Sequence, residues 1–296
     1  MTTPTRRRFL RTAALAPLLP ALTQAASPSE RFPIGLSLYS LRDLLQVRGG
    51  DLDPLDYASF AKDTFDISYI DYWEGGLPKD KLNDQAYFEQ LRTAAEDIGT
   101  DIFLHMSGAL MADPKKAEAS IAKISESIPR AKWLGATYMR VFLKAPGEDA
   151  AAAVAPCVEA LKPICDSSAE AGIIVAIEPG ASPLSQQGAF LAQVYQTLNH
   201  EACTLMPDFG KLKNNVYDGT AAMLPFTKTI SCKMHSFDEE GSQPDFDYPR
   251  LFQMIVASGY EGILAIEWEG KALEPVPGVL ASKTLIESSL AAALEG

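Results

Sequence analysis

The feature that most constrains this chain is a repeated alternation of two kinds of segment. From Ile34 onward, short apolar runs alternate with longer amphipathic stretches. The runs read as strands at Ile34–Ser40, Ile67–Trp73, Asp101–Ser107, Thr137–Leu143, Ile173–Pro179, Thr204–Asp208, Ile230–Phe237 and Gly262–Trp268. Between them lie Tyr87–Ile98, Lys115–Trp133, Ala150–Ala171 and Pro249–Ser258, each with apolar residues at the three- and four-residue spacing of a helix. Several of these stretches end in glycine before the next strand, at Gly99, Gly135, Gly172 and Gly259. Glycine enters the left-handed conformation without a Cβ penalty, so it is the usual helix stop. Eight strand–helix units in about 270 residues match the size of a closed (β/α)8 barrel, an α/β fold. The competing architecture is a doubly wound open sheet, which usually binds a nucleotide through a glycine-rich first turn. Here the first strand leads into Leu38-Tyr39-Ser40-Leu41-Arg42-Asp43, with no G-x-G-x-x-G.

The first 26 residues stand apart from this rhythm. Arg6-Arg7-Arg8-Phe9-Leu10-Arg11 is followed by a mild apolar run from Thr12 to Leu22 and small residues through Ala26. A charged start, a short apolar stretch and a small-residue end make an export leader. The paired arginines before Phe-Leu resemble a twin-arginine signal. The expected organisation is therefore a leader over residues 1–26 and one barrel domain over 27–296, delivered to the periplasm. Twin-arginine export carries folded proteins, which suits a chain that loads its cofactor beforehand. After the leader, nothing approaches the roughly 18 uninterrupted apolar residues of a membrane span.

Charge narrows the partners. The chain carries 26 Lys+Arg against 38 Asp+Glu, a formal net charge of −12. The leader holds four of the arginines and no acid, so the remainder is more acidic still. Such a surface repels phosphate backbones and argues against nucleic acid as a partner. The four cysteines, Cys157, Cys165, Cys203 and Cys232, form no C-x-x-C pair, and buried free thiols are the expectation.

Four polar residues close four successive apolar runs: Glu178, Asp208, His235 and Glu267, spaced 30, 27 and 32 residues apart. That spacing is one strand–helix unit each. In a parallel barrel, residues at the carboxyl ends of strands converge on one mouth. Three carboxylates and an imidazole meeting there would make an oxygen-rich site for one divalent metal. Carboxylates so close could not all stay ionised without a cation. Taken singly, each glutamate could equally pair with a lysine, and His235 could be a hydrogen-bonded structural group. Their joint occurrence at consecutive strand ends favours the metal site.

The stretches Ala176-Ile177-Glu178-Pro179, Met206-Pro207-Asp208-Phe209-Gly210, Lys233-Met234-His235-Ser236-Phe237-Asp238 and the segment from Asp247 to Gly270 resemble the xylose-isomerase-like barrel superfamily of sugar isomerases and epimerases. The resemblance runs from about Ile34 to the C-terminus and fits the barrel. It implies Glu178, Asp208, His235 and Glu267 as metal ligands. It also implies Glu178 and Glu267 as an acid–base pair that removes and returns a proton beside a carbonyl through an enediolate. Mn²⁺ is the first expectation for the ion, with Mg²⁺, Co²⁺ and Zn²⁺ tolerated by the same donors. The implied partner is a small carbohydrate, and the family habit leans toward homo-oligomers. One departure matters. The loop after His235 is acidic and lacks the arginine that contacts substrate in the epimerases resembled. No Lys/Arg cluster marks a phosphate site, which favours an unphosphorylated sugar or, by elimination from the same enediolate, an oxidised glycoside.

Further candidates for the mouth follow from position. Lys233 shares the strand face of His235 two residues on, and could bind substrate or pair with a barrel carboxylate. Glu269 stands in the same relation to Glu267. His105, Trp73 and Tyr39 end earlier strands and could contact a sugar or serve packing. Arg140 lies within the fourth strand, where a buried arginine must be paired. His200 precedes a strand and reads as structural.

Overall fold

Many helices stop at a residue with positive φ, and the chain places one where most barrel strands are about to begin. Gly135 (φ 71°) and Gly172 (φ 77°) end the helices before the fourth and fifth strands. Asp66 (φ 54°) and Asn199 (φ 44°) do the same work where no glycine announces a stop. Short polar side chains tolerate this region better than bulky ones.

The computed structural model describes residues 27–212 and 215–296. The export leader expected over residues 1–26 lies outside the described residues. Eight strands form one parallel sheet: β1 (Ile34–Leu36), β2 (Tyr69–Trp73), β3 (Asp101–Met111), β4 (Tyr138–Lys144), β5 (Ile174–Glu178), β6 (Cys203–Leu205), β7 (Thr229–Met234) and β8 (Ile263–Trp268). The spatial order is β6-β5-β4-β3-β2-β1-β8-β7. Parallel bridges Leu205↔Thr227 and Asp208↔Ser231 join the two ends of that order and curl the sheet into a (β/α)8 barrel.

The helices are α1 (Pro28–Arg31), α2 (Tyr57–Phe65), α3 (Gln85–Glu96), α4 (Ala117–Ser125), α5 (Ser127–Leu134), α6 (Ala150–Ala171), α7 (Gly188–Leu198), α8 (Val216–Met223), α9 (Tyr248–Ala257) and α10 (Pro275–Glu295). None among the described residues is long and apolar enough to cross a membrane. α6 is continuous despite Pro156 and Pro163. Its buried positions 153, 154, 157, 160, 161, 164, 165 and 168 form one stripe against the sheet. Burial of that stripe outweighs a proline penalty of about 3 kcal/mol per residue.

Two apolar layers result. A large core lies between the sheet and the helices. A smaller cluster of Phe103, Leu104, Met106, Ala176, Met206 and Ala265 fills the barrel interior. The carboxyl ends of the strands are left polar, and the candidate site is built there.

Several boundaries differ from the sequence reading, each for a local reason. β1 stops at Leu36 because Ser37 caps a following 3₁₀ turn through its hydroxyl, which accepts from Tyr39 N. β3 continues to Met111, with a register irregularity between Met106 and Ala109, and Ser120 Oγ accepts from Met111 N. The stretch Lys115–Trp133 divides into α4 and α5 around Glu126. β7 ends at Met234, so His235 has already left the strand. All four cysteines are buried and free.

Candidate active site

β5, β6 and β8 bring three carboxylates to one point. Glu178 is the last residue of β5 and Glu267 the fifth of β8. Asp208 lies beyond β6, fixed by its bridge to Ser231 on β7. One oxygen from each of Glu178, Asp208 and Glu267 lies within 4.8 Å of the others, and all three residues are buried. Ser231 Oγ donates to Glu267 Oε2 at 2.6 Å and lies 3.2 Å from Asp208 Oδ2. Its single proton serves only one of the two carboxylates at a time.

The cation among them is Lys233. The β7–β8 register sets Lys233 directly across from Glu267. Its Nζ is 3.2 Å from Asp208 Oδ2, 3.0 Å from Glu267 Oε1 and 2.6 Å from Glu269 Oε1. The Glu269 contact is a hydrogen bond, and those to Asp208 and Glu267 are close ion pairs. The side chain passes Gly210, where an added Cβ would sit 2.8 Å from Lys233 Cδ and 2.9 Å from Cγ. The glycine of Met206-Pro207-Asp208-Phe209-Gly210 is therefore what lets Lys233 reach the site.

Glu178 is held differently. Arg140 Nε approaches its Oε2 to 2.9 Å, but off the hydrogen-bonding direction, and neither carboxylate oxygen has a hydrogen-bond partner. Arg140 is itself spent elsewhere, donating to Ser107 O at 2.6 Å and lying 4.0 Å over the Phe142 ring. Burial pushes the Glu178 carboxyl well above the usual carboxylate range; Arg140 opposes this, and Asp208 and Glu267 add to it. Glu267 goes the other way. Burial alone would raise it, but Lys233, Lys211 and the Ser231 hydrogen bond hold it well below its ordinary value. Two neighbouring carboxyls pushed in opposite directions is the arrangement acid–base catalysis uses. Burial also opposes the charge on Lys233, yet Asp208, Glu267, Glu178 and Glu269 outweigh it and raise its pKa well above an ordinary lysine.

Other sequence candidates fall into two groups. Glu269 and His235 join Gly180, Gln186, Gly210, Lys211 and Lys233 around a cavity of about 230 Å³ beside the triad. His235 does not enter the carboxylate cluster. Its side chain is 39% exposed, with Nε2 3.9 Å from Glu269 Oε2 and Nδ1 4.0 Å from Asp245 Oδ2. The end of β7 is the reason: the last inward position on the strand belongs to Lys233. Trp73 packs on the barrel-interior cluster, edge-on to Tyr39 at 4.7 Å, and does not line the cavity. His105 faces away from the mouth. It is buried against Phe88 of α3, and its Nε2 lies 3.0 Å from Glu74 Oε1, which also accepts from Ser127 at 2.6 Å and Arg130 at 2.9 Å. His200 pairs with Asp166 at 3.1 Å and accepts from Ala202 N, a structural role.

Sequence reasoning passed over two groups. Lys211 lies 5.0 Å from the Phe142 ring and lines the cavity. Asp71, in the middle of β2, is fully buried; Oδ1 accepts from Leu38 N at 3.0 Å and Ser37 Oγ at 3.3 Å, while Oδ2 has no partner. Burial pushes its pKa up to about 8. Its signal was parity: Asp71 lies between Tyr69 and Trp73, both of which pack on the barrel interior.

Comparison with known proteins places these features in context. The alpha subunit of a C-glycoside deglycosidase from Arthrobacter globiformis is 38% identical over 50 residues, a match covering 17% of this chain and 14% of that subunit. The chain thus spans a small part of that relative. A xylose isomerase-like barrel protein from Mycobacterium smegmatis, solved with magnesium, superposes with a TM-score of 0.62 at 17% identity, covering 88% of this chain and 97% of that one. The 3-keto-D-glucoside 4-epimerase of E. coli superposes with a TM-score of 0.65 at 12% identity, covering 87% and 99%. At such identities the structural likeness speaks to fold alone. A model of the xylose isomerase-like TIM barrel family matches residues 61–291, most of the chain, and the chain belongs to that family.

Proposed function

We propose that the protein is a divalent-metal-dependent isomerase or epimerase that moves a proton beside a carbonyl on an unphosphorylated carbohydrate. The observation that carries this reading is the buried triad of Glu178, Asp208 and Glu267, in which both Glu178 oxygens lack hydrogen-bond partners. A buried carboxylate without hydrogen bonds, offset here only by the Arg140 charge at 2.9 Å, is costly, and a bound cation relieves it. The residues therefore fit a divalent ion, with Glu178, Asp208 and Glu267 as its protein donors. When bound, the ion supplies Lewis-acid stabilisation of charge developing on substrate oxygens. Mn²⁺ is the first candidate, and Mg²⁺, Co²⁺ and Zn²⁺ suit the same donors.

The chain's own residues supply the rest. Glu178 and Glu267 act as the acid–base pair, one removing and one returning the proton. Lys211 and Glu269 line the cavity beside the triad and are placed to contact sugar hydroxyls. The acidic chain, and the engagement of Lys233 by three carboxylates, support a neutral sugar. Export of the folded protein by its arginine-rich leader fits this reading, and N-terminal sequencing of periplasmic material tests it.

A second reading is favoured by the deglycosidase relative. The same enediolate can expel a leaving group, which makes the enzyme a lyase for oxidised glycosides. Incubating ketoses and 3-keto-glycosides with the Mn²⁺-loaded protein in heavy water separates the two. Deuterium at one carbon with mass otherwise conserved marks isomerisation. Loss of the aglycone marks elimination. Sugar binding without exchange for any substrate would refute both and leave a binding barrel.

A further inference from the structure

We propose that Lys233 is a built-in competitor for the divalent-ion site, with Glu269 as the position to which its ammonium retreats. The inference rests on the metal reading above and adds a device to it. Lys233 Nζ already contacts two of the three proposed ligands, at 3.2 Å from Asp208 and 3.0 Å from Glu267. A divalent ion binding those same oxygens would lie beside the ammonium, and two cations that close in a buried site repel strongly. Both cannot be held by the triad at once.

The structure provides the alternative. Glu269 Oε1 is the nearest carboxylate to Nζ, at 2.6 Å, and it is not part of the triad. It borders the 230 Å³ cavity, which Lys233 also lines. The stem is buried, but Lys233 borders that cavity, and Gly210 leaves the stem free of a Cβ contact. A short swing away from Asp208 and Glu267 keeps the ammonium charged and paired, so the exchange needs no change of protonation.

The consequence is linkage. Every ion that enters must displace Lys233, so metal affinity is weaker than the three carboxylates alone would give. When no ion is held, the lysine neutralises the triad and keeps the mouth folded. Affinity is then set by how well Glu269 receives the displaced charge.

A double-mutant cycle on the full-length protein tests this, with Mn²⁺ as the probe and free ion read by electron paramagnetic resonance. Lys233→Met keeps the length of the side chain and removes its charge. Its Mn²⁺ affinity is expected to rise roughly tenfold to hundredfold over wild type. Glu269→Gln is expected to weaken Mn²⁺ binding in the wild-type background and to have little effect in the Lys233→Met background. Equal or weaker binding by Lys233→Met would overturn it while leaving the metal site standing. Equal effects of Glu269→Gln in both backgrounds would also overturn it. No uptake by any variant would overturn the metal reading together with the inference. If Lys233→Met does not fold in EDTA, Glu269→Gln alone decides: unchanged affinity refutes the proposal.

Discussion

Asp71 offers a prediction whose size can be worked from the structure. The side chain is fully buried, with one oxygen bonded to Leu38 N and Ser37 Oγ and the other without a partner. Its pKa rises from 3.8 in the unfolded chain to about 8 in the fold. A carboxyl raised in this way favours the native state fully below the unfolded pKa, and that contribution is lost as pH rises through the folded pKa. Between pH 4 and pH 7 the unfolded chain gives up the proton while the native state keeps it. At ~1.4 kcal/mol per pH unit, that interval costs about 4 kcal/mol of stability. Asp71→Asn removes the titration. The amide oxygen can still accept from Leu38 and Ser37, but the new NH₂ faces the position of the unpartnered oxygen and costs about 1–3 kcal/mol. The variant should therefore be less stable than wild type at pH 4 and more stable at pH 8. Urea unfolding in EDTA across that range measures the difference directly. A difference that stays constant from pH 4 to pH 8, or that moves against the Asp71→Asn variant as pH rises, would refute the reasoning.

Other perturbations have expected outcomes. Arg130 is buried and donates to Glu74, Leu82 O and Asn83, so Arg130→Met should cost about 3–5 kcal/mol in urea melts by stranding the Glu74 carboxylate. Burial works against ionised Glu74, but hydrogen bonds from His105, Ser127 and Arg130 prevail and hold it near 2. Its contribution is present above the unfolded value of 4.5 and lost as pH falls toward 2, and Glu74→Gln should flatten that part of the acid unfolding curve. His235 lies outside the triad, so His235→Ala should leave the fold and the metal stoichiometry unchanged while altering sugar affinity. Calorimetry with Mn²⁺ and with a bound sugar checks both.

How far the molecule was legible depends on which physical signal carried each feature. The barrel was readable because alternation and helix stops are local: Gly135 and Gly172 terminate helices where the pattern says they should. Boundaries were less so, because a single hydrogen bond moves them, as the Ser37 cap does at the end of β1. Glu178, Asp208 and Glu267 meet because a parallel barrel gathers strand ends whatever the loops do. The divergence at His235 turns on one residue of strand length, which put Lys233 at the last inward position instead. His105 could not be oriented from sequence, since the register of β2 on β3 shifts between Ile70 and Asp71 and breaks simple parity. Asp71 was overlooked because one acid within an apolar run looks like a strand defect until its burial is seen.

The central claim is that Glu178, Asp208 and Glu267 hold one divalent ion at the mouth of the barrel. Equilibrium dialysis of the full-length protein against Mn²⁺, wild type beside Asp208→Asn, tests it most directly. The account predicts one ion per chain in wild type and sharply reduced uptake in Asp208→Asn, with both proteins folded by circular dichroism. No uptake by wild type at millimolar Mn²⁺, or equal uptake by both, would contradict it.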